Sequence, residues 1–275
     1  MITLVGSPGV GKTSLAGMCP DPIFIQAENA ETVFENWDED AQPMMLPKLP
    51  SASRSGSGSL ISTRETIMAQ LRELATAEHD FKTLVIDSVT ALNVMFEQEI
   101  ALRDNVGSVA DACGGYHKGY TEVASWHSEL VNACGIIAKR KNMAIVFLAH
   151  TGVQKVKNSP TEASEYSVYG LDMYSKSAQV YVTNCDSILY IKKEEFITGA
   201  ETNRKGQTTK FGRAMQTGER VLITSGDGLV GYVEAKNRYG MPVEIPLPLG
   251  TNPILQYIKH FNQDSQATNN ATNEE

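Results

Sequence analysis

The chain has four cysteines, Cys19, Cys113, Cys134 and Cys185, and no two of them form a C-x-x-C pair. Isolated thiols of this kind suggest neither a zinc site nor a disulfide framework, and a reducing compartment is expected. Long apolar runs are missing too. Nothing approaches the roughly 20 residues that span a bilayer, and the first residues carry no leader pattern. The expectation is a soluble, cytoplasmic protein with no membrane partner. Positive charge is scarce: 24 Lys and Arg stand against 32 Asp and Glu, a net charge of −8, which argues against a broadly basic nucleic-acid binder. The deficit is local, however. Residues 21–42 hold seven acids (Asp21, Glu28, Glu31, Glu35, Asp38, Glu39, Asp40) and no Lys or Arg, whereas cations collect at Lys139 to Lys141, at Lys155 and Lys157, and from Lys192 to Arg220. A basic groove on an acidic molecule is compatible with this pattern, as is a solvated face.

Residues 4–17 read LVGSPGVGKTSLAG and satisfy G-x-x-x-x-G-K-[ST] at Gly6, Gly11, Lys12 and Thr13. An apolar run, Ile2 to Val5, precedes the motif and a helix-forming run, Thr13 to Met18, follows it. Strand, loop, helix is the order a phosphate cradle needs, because backbone N–H groups and a helix N-terminus must both approach the anion closely. Glycine at 6, 9 and 11 permits the approach and Pro8 stiffens the loop. Lys12 would reach the β and γ phosphates while the Thr13 hydroxyl joins Mg²⁺. The candidate nucleotide-binding residues are therefore Gly6, Ser7, Pro8, Gly9, Val10, Gly11, Lys12, Thr13 and Ser14.

Further along, strands are expected at 22–26, 83–86 and 143–149, and helices at 61–78, 89–104 and 121–140, the last with an apolar stripe from Val123 to Ala138. Later strands are expected at 180–191, 220–225 and 229–235, followed by a helix around 253–261. The run Thr83 to Ile86 is continuously apolar, as strands covered on both faces are. Together these features predict an α/β fold: a doubly wound, mostly parallel sheet with helices on both faces and an antiparallel extension at one edge. One core over 1–261 is expected, with flexible loops near 43–60, 105–120, 151–177 and 194–218. The polar, acidic tail 262–275 should be disordered.

Hydrolysis of a bound triphosphate also needs a metal ligand and a group that positions water. Asp87 ends an apolar strand and suits the metal, although a carboxylate followed by Ser88 could instead cap the next helix. Glu28 stands just past the strand Pro22–Ile25, at the edge where open α/β sheets bind ligands. It is the candidate base, or one more surface acid. His150 closes the strand AIVFLAH, where it could sense the γ-phosphate or simply cap a strand end in water.

Four segments, taken in order, resemble the RecA/RadA type of ATPase core. GSPGVGKTSLA is similar to its Walker A loop. FIQAENAE resembles the strand end whose glutamate activates water, and TLVIDSVTAL its Walker B segment. AKNRYG (235–240) is similar to the element whose basic residues reach a neighbouring subunit's ATP. The resemblance implies roles for Glu28 and Asp87, places Lys236 and Arg238 in trans, and sets His150 where RecA-type proteins couple nucleotide to DNA through glutamine. Gln26 stands where that family has Asp, and the leading oligomerisation segment of RecA has no counterpart before Gly6. More narrowly, GGYHKGYTEVASW, VFLAH and AKNRYGMPVEIPL together resemble phage-encoded ATPases of the AAA_24 type, which include single-strand annealing proteins of the Sak group. That likeness implies ATP and Mg²⁺ as cofactors, a homo-oligomeric ring or filament with ATP between subunits, and single-stranded DNA as partner for annealing or strand exchange. A single-strand-binding or replication protein is a further implied partner. The DNA-facing loops would fall at 105–120 and 151–177, where Tyr116, Lys118, Tyr120, Lys155, Lys157 and Tyr169 offer stacking faces and cations. A nucleotide switch that regulates a replication protein without gripping DNA is the alternative.

Overall fold

The computed structural model describes residues 1–156, 166–198, 201–202, 208–210, 213–226 and 233–261. Among the described residues fourteen strands and five α-helices follow one another in chain order. The nucleotide-loop half contains β1 (Ile2–Gly6), α1 (Lys12–Gly17), β2 (Pro22–Gln26), β3 (Met44–Met45), β4 (Ser53–Arg54), β5 (Leu60–Ile61), α2 (Thr63–Thr76) and β6 (Thr83–Asp87). Next come α3 (Val89–Arg103), α4 (Lys118–Arg140), β7 (Ala144–Val156), β8 (Tyr166–Leu171), α5 (Ser175–Asn184) and β9 (Ser187–Thr198). The chain continues through β10 (Glu201–Thr202), β11 (Thr208–Lys210), β12 (Arg213–Ile223), β13 (Lys236–Asn237) and β14 (Glu244–Pro246).

The main sheet runs β14-β12-β9-β1-β7-β6-β2-β3. From β9 to β3 every neighbour is parallel, while β12 and β14 add in antiparallel at one edge. This is the α/β architecture expected, with its antiparallel extension. Each parallel strand divides its side chains between two cores by the two-residue period of the pleat. Val5, Ile23, Ile25, Leu84, Ile86, Ile145 and Phe147 face the apolar sides of α2, α3, α4 and α5. Ile2, Leu4, Phe24, Val85, Val146 and Leu148 face α1, Phe34 and the C-terminal residues Ile254, Ile258 and Phe261. Side-chain caps fix two helix starts: Ser62 accepts from Glu65 N at 2.9 Å, and Ser88 accepts from Ala91 N at 3.1 Å.

Several sequence expectations need correcting. The stretch from 180 is not strand: α5 runs to Asn184 and only then does β9 begin. Its Val180, Tyr181, Val182 and Thr183 favour a strand locally, yet Ser177, Ala178 and Tyr181 are buried at helical spacing. Tertiary packing decides the outcome. The loop 151–177 is in large part a ribbon, because β7 continues beyond the sheet and pairs with β8 from Thr151↔Leu171 to Val156↔Tyr166. Likewise 194–218 holds the outer arms of β9 and β12, paired from Arg213↔Thr198 to Gln216↔Glu195. The segment 43–60 carries β3 and β4 and buries Leu49. The loop 105–120 ends inside α4, whose first turn includes Lys118 and Tyr120. In the region of the expected final helix, Pro253–Gln256 forms a 3-10 turn and residues 259–261 are helical up to the end of the described chain. The expected strand 229–235 lies partly outside the described residues, which retain a bridge from Val233 to Tyr169. The tail 262–275 lies wholly outside them.

Candidate functional site

Register brings the strand tips together. Gly6 ends β1 opposite both His150 of β7 and Ile191 of β9, while Gln26 of β2 stands opposite Asp87 of β6. The carboxyl edge of a parallel sheet, where adjacent strands turn to opposite faces, is where such folds bind ligands.

The loop Ser7–Gly11 crosses this edge into α1. Gly9 and Gly11 adopt φ of +72° and +100°, a left-handed backbone that disfavours side chains. A Cβ on Gly6 would come within 2.8 Å of Ile191 O and of Val10. A cradle of backbone amides therefore exists only with glycine at these positions. Lys12, almost fully buried, directs its ammonium back along the loop, donating to Gly6 O at 2.8 Å and Ser7 O at 3.1 Å, with His150 Nδ1 at 3.4 Å. These acceptors match its three donors. Burial lowers the Lys12 pKa, and the charges of Asp87 and Glu28 oppose that fall.

His150 links the lysine to the acid. With Nδ1 accepting from Lys12, its remaining proton belongs on Nε2, which faces Glu28 Oε1 at 3.0 Å and Oε2 at 3.3 Å. Glu28 also accepts from the Ser88 hydroxyl. The His150 hydrogen bond, then the Ser88 bond and nearby positive charge, hold the Glu28 carboxyl below the usual carboxylate range against a partial burial penalty. Asp87 lies deeper: burial raises its pKa, and a 2.7 Å hydrogen bond from Thr13 Oγ1 to its Oδ2 works in the other direction. Ser88 rather than Asp87 caps α3 through its side chain, so the capping alternative for Asp87 does not describe this structure.

Thr13 and Asp87 thus present two hard oxygens 2.7 Å apart beside the lysine. Mg²⁺ takes few protein ligands and completes its shell with water and phosphate oxygens, so a hydroxyl and one carboxylate suit it. Among the described residues no group of three or more His, Cys, Asp or Glu side chains could hold a metal. The four cysteines are free thiols.

Lys236 and Arg238 stand apart from this cluster. β13 pairs with the start of β9, Lys236 opposite Ile188, the residue aligned with Thr3 of β1. Lys236 Nζ donates to Val182 O and Thr183 O at the end of α5, and Arg238 pairs with Asp186 at 3.4 Å. Both lie toward the sheet edge opposite Gly6.

Of the DNA-loop residues, Tyr116 is 92% exposed just before α4. Lys118 opens that helix, and Tyr120 stacks on Tyr174 with ring centroids 4.7 Å apart, tying the helix start to the base of the β7–β8 ribbon. Lys155 and Tyr169 lie on the ribbon, and Lys157 falls outside the described residues.

Two cavities flank the loop. One of about 510 Å³ is bordered by Ser7, Val10, Thr151, Tyr169, Lys192 and Lys193. The other, about 270 Å³, is bordered by Gly11, Ser14, Met18, Trp37, Arg220 and Leu249. In the sequence Lys192, Lys193 and Arg220 are marked only as parts of a basic stretch. A signal for the lysines was present: they follow the apolar run SILYI just as His150 and Asp87 follow theirs. Arg220 carries none, because its place depends on the antiparallel pairing of β12 with β9.

A family model described as an AAA domain, AAA_24, matches residues 1–239. No curated protein matches the chain. Among the described residues no helix is long and apolar enough to cross a membrane.

Proposed function

The chain belongs to the AAA_24 family of AAA domains, whose members are nucleotide-binding P-loop ATPases, and from that premise we propose that it hydrolyses ATP with Mg²⁺ at subunit interfaces. The observation that carries this reading is the convergence of Lys12, the Thr13–Asp87 pair and the His150–Glu28 pair at one sheet edge.

The loop amides and Lys12 bind the phosphates, the ammonium exchanging its contacts with Gly6 O and Ser7 O for phosphate oxygens and placing positive charge where negative charge develops. Thr13 and Asp87 would hold Mg²⁺, which supplies charge neutralisation across the phosphates. Glu28, kept ionised by His150 and Ser88, accepts the proton of the attacking water. His150 touches both the phosphate-binding lysine and that base, so occupancy of the phosphate site bears directly on the orientation of Glu28. Lys236 and Arg238 serve a neighbouring copy's nucleotide, since their own loop lies at the other edge of the sheet.

The ATP-bound oligomer grips single-stranded DNA for annealing or strand exchange. Support comes from exposed Tyr116 before α4, the ribbon bearing Lys155 and Tyr169, and the lysine pair 192–193, which with Tyr169 borders the cavity at Ser7. A Glu28→Gln variant should bind ATP as the parent does and lose turnover by at least about 100-fold, the scale of general-base catalysis. Unimpaired hydrolysis removes Glu28 from this role. ATPase rates with and without an oligonucleotide, at 50 and 200 mM salt, test the DNA reading. Stimulation that fades with salt supports it, and a rate indifferent to DNA points to a nucleotide switch acting on a protein.

A further inference from the structure

Arg220 is the one described cation that reaches the nucleotide loop from the antiparallel edge of the sheet. Its Nη1 donates to Val10 O at 3.1 Å and its Nη2 to Pro248 O at 3.4 Å. The guanidinium lies so close over Gly11 that a Cβ there would come within 2.2 Å of Nη1. Glycine at 11 therefore meets two demands, the φ of +100° and the approach of this side chain. The far arm is anchored as well: Leu247 N donates to Arg220 O at 2.8 Å, and Asn252 Nδ2 donates to Leu15 O at 3.1 Å, so the segment after β14 holds Arg220 at one point and the helix after the loop at another.

The consequence follows from peptide geometry. In a planar trans unit the C=O and the following N–H point in opposite directions. With Val10 O turned outward to the guanidinium, Gly11 N–H is turned to the opposite side, and a cation on the carbonyl polarises the unit so that its N–H donates more strongly. We propose that Arg220 is a positioning residue of the nucleotide site, fixing the Val10–Gly11 peptide so that its amide meets the phosphates. It thereby makes the loop's affinity depend on the β12–β14 edge. This inference rests on the ATPase reading above.

Arg220 touches neither water nor the γ-phosphate in this scheme, so its loss should weaken binding of di- and triphosphate alike rather than slow the chemical step. For Arg220→Ala we expect the Kd for ADP with Mg²⁺, measured by titration calorimetry, and the KM for ATP each to rise about tenfold, the effect of one charge-assisted hydrogen bond. We expect kcat to change by less than about twofold. Arg220→Lys keeps the charge and the apolar stem but has one donor nitrogen in place of the fork, so its Kd should fall between those of the parent and the alanine variant, and it serves if the alanine variant does not fold. Unchanged affinity in both variants overturns the proposal, as does a lower melting temperature with unchanged affinity, or a fall in kcat with Kd unaltered. If the parent chain binds neither ADP nor ATP, the ATPase reading itself fails; parent binding with intact variant binding removes Arg220 alone.

Discussion

His127 lies fully buried on α4, its Nδ1 2.7 Å from Tyr181 Oη on α5 and its Nε2 3.2 Å from Asn93 Oδ1 on α3. Burial pulls its pKa down to about 3 from the ordinary 6.5. Below pH 6.5 the unfolded chain takes up a proton that the native chain refuses. Stability is therefore lost as pH falls from 6.5 toward 3 and is unaffected above 6.5, with a limiting slope of about 1.4 kcal/mol per pH unit. Glu28, also depressed, loses its share in the same direction as pH falls through its folded value. Denaturant unfolding at pH 7, 5.5 and 4.5 should show the parent's advantage over His127→Gln shrinking by about 2 to 3 kcal/mol across the series. A difference that stays constant would mean the imidazole titrates as if exposed.

The same contact matters at the scale of elements, since the His127–Tyr181 bond joins α4 to α5 beneath the sheet. Replacing Tyr181 with Phe keeps the ring packing on Phe147 but leaves His127 Nδ1 without its partner. We expect a loss of about 1–3 kcal/mol, the penalty for a buried polar group left unsatisfied, read as a lower unfolding midpoint with unchanged nucleotide affinity. That contact also explains what the sequence could and could not disclose. β1, β2 and β6 were legible because each is a short apolar run between turn signals, and Asp87 after the run of β6, like His150 after that of β7, stood out as a polar residue at a strand end. Lys12 could be named from the loop motif and Asp87 and His150 from the ends of their apolar runs, whereas Glu28 needed the family resemblance beside its position to stand out from the acids around it. α5 was not legible, since Val180 to Thr183 favour a strand locally and become helical through partners 54 residues away in the chain. The β7–β8 ribbon was hidden by its polar, serine-rich composition, and Arg220 by a pairing between distant strands.

For the whole molecule, the sheet separates the two halves of the proposed hydrolytic site. The loop and Glu28 sit at the carboxyl edge of the parallel strands, whereas Lys236 pairs with β9 at Ile188, three residues before the Ile191 that faces Gly6. At about 3.3 Å per residue that is roughly 10 Å along the strand, and Arg238 lies further still, against Asp186. To close both halves on one nucleotide, a single chain would have to give up the pairing of β13 with β9. The proposed head-to-tail arrangement would avoid that cost, because it would set one copy's amino edge against the next copy's carboxyl edge and repeat into a ring or filament. ATP turnover per chain should then rise with protein concentration, and Lys236→Ala with Arg238→Ala should abolish that rise while sparing ATP binding. Mixing supplies the sharper measurement. Glu28→Gln is inactive at its own loop but offers intact cations, and the double alanine variant offers an intact loop without them. Combined, the two inactive proteins should regain a fraction of parental turnover, since some interfaces unite a working loop with working cations. Turnover that is independent of concentration, with no recovery on mixing, would place the whole reaction within one chain.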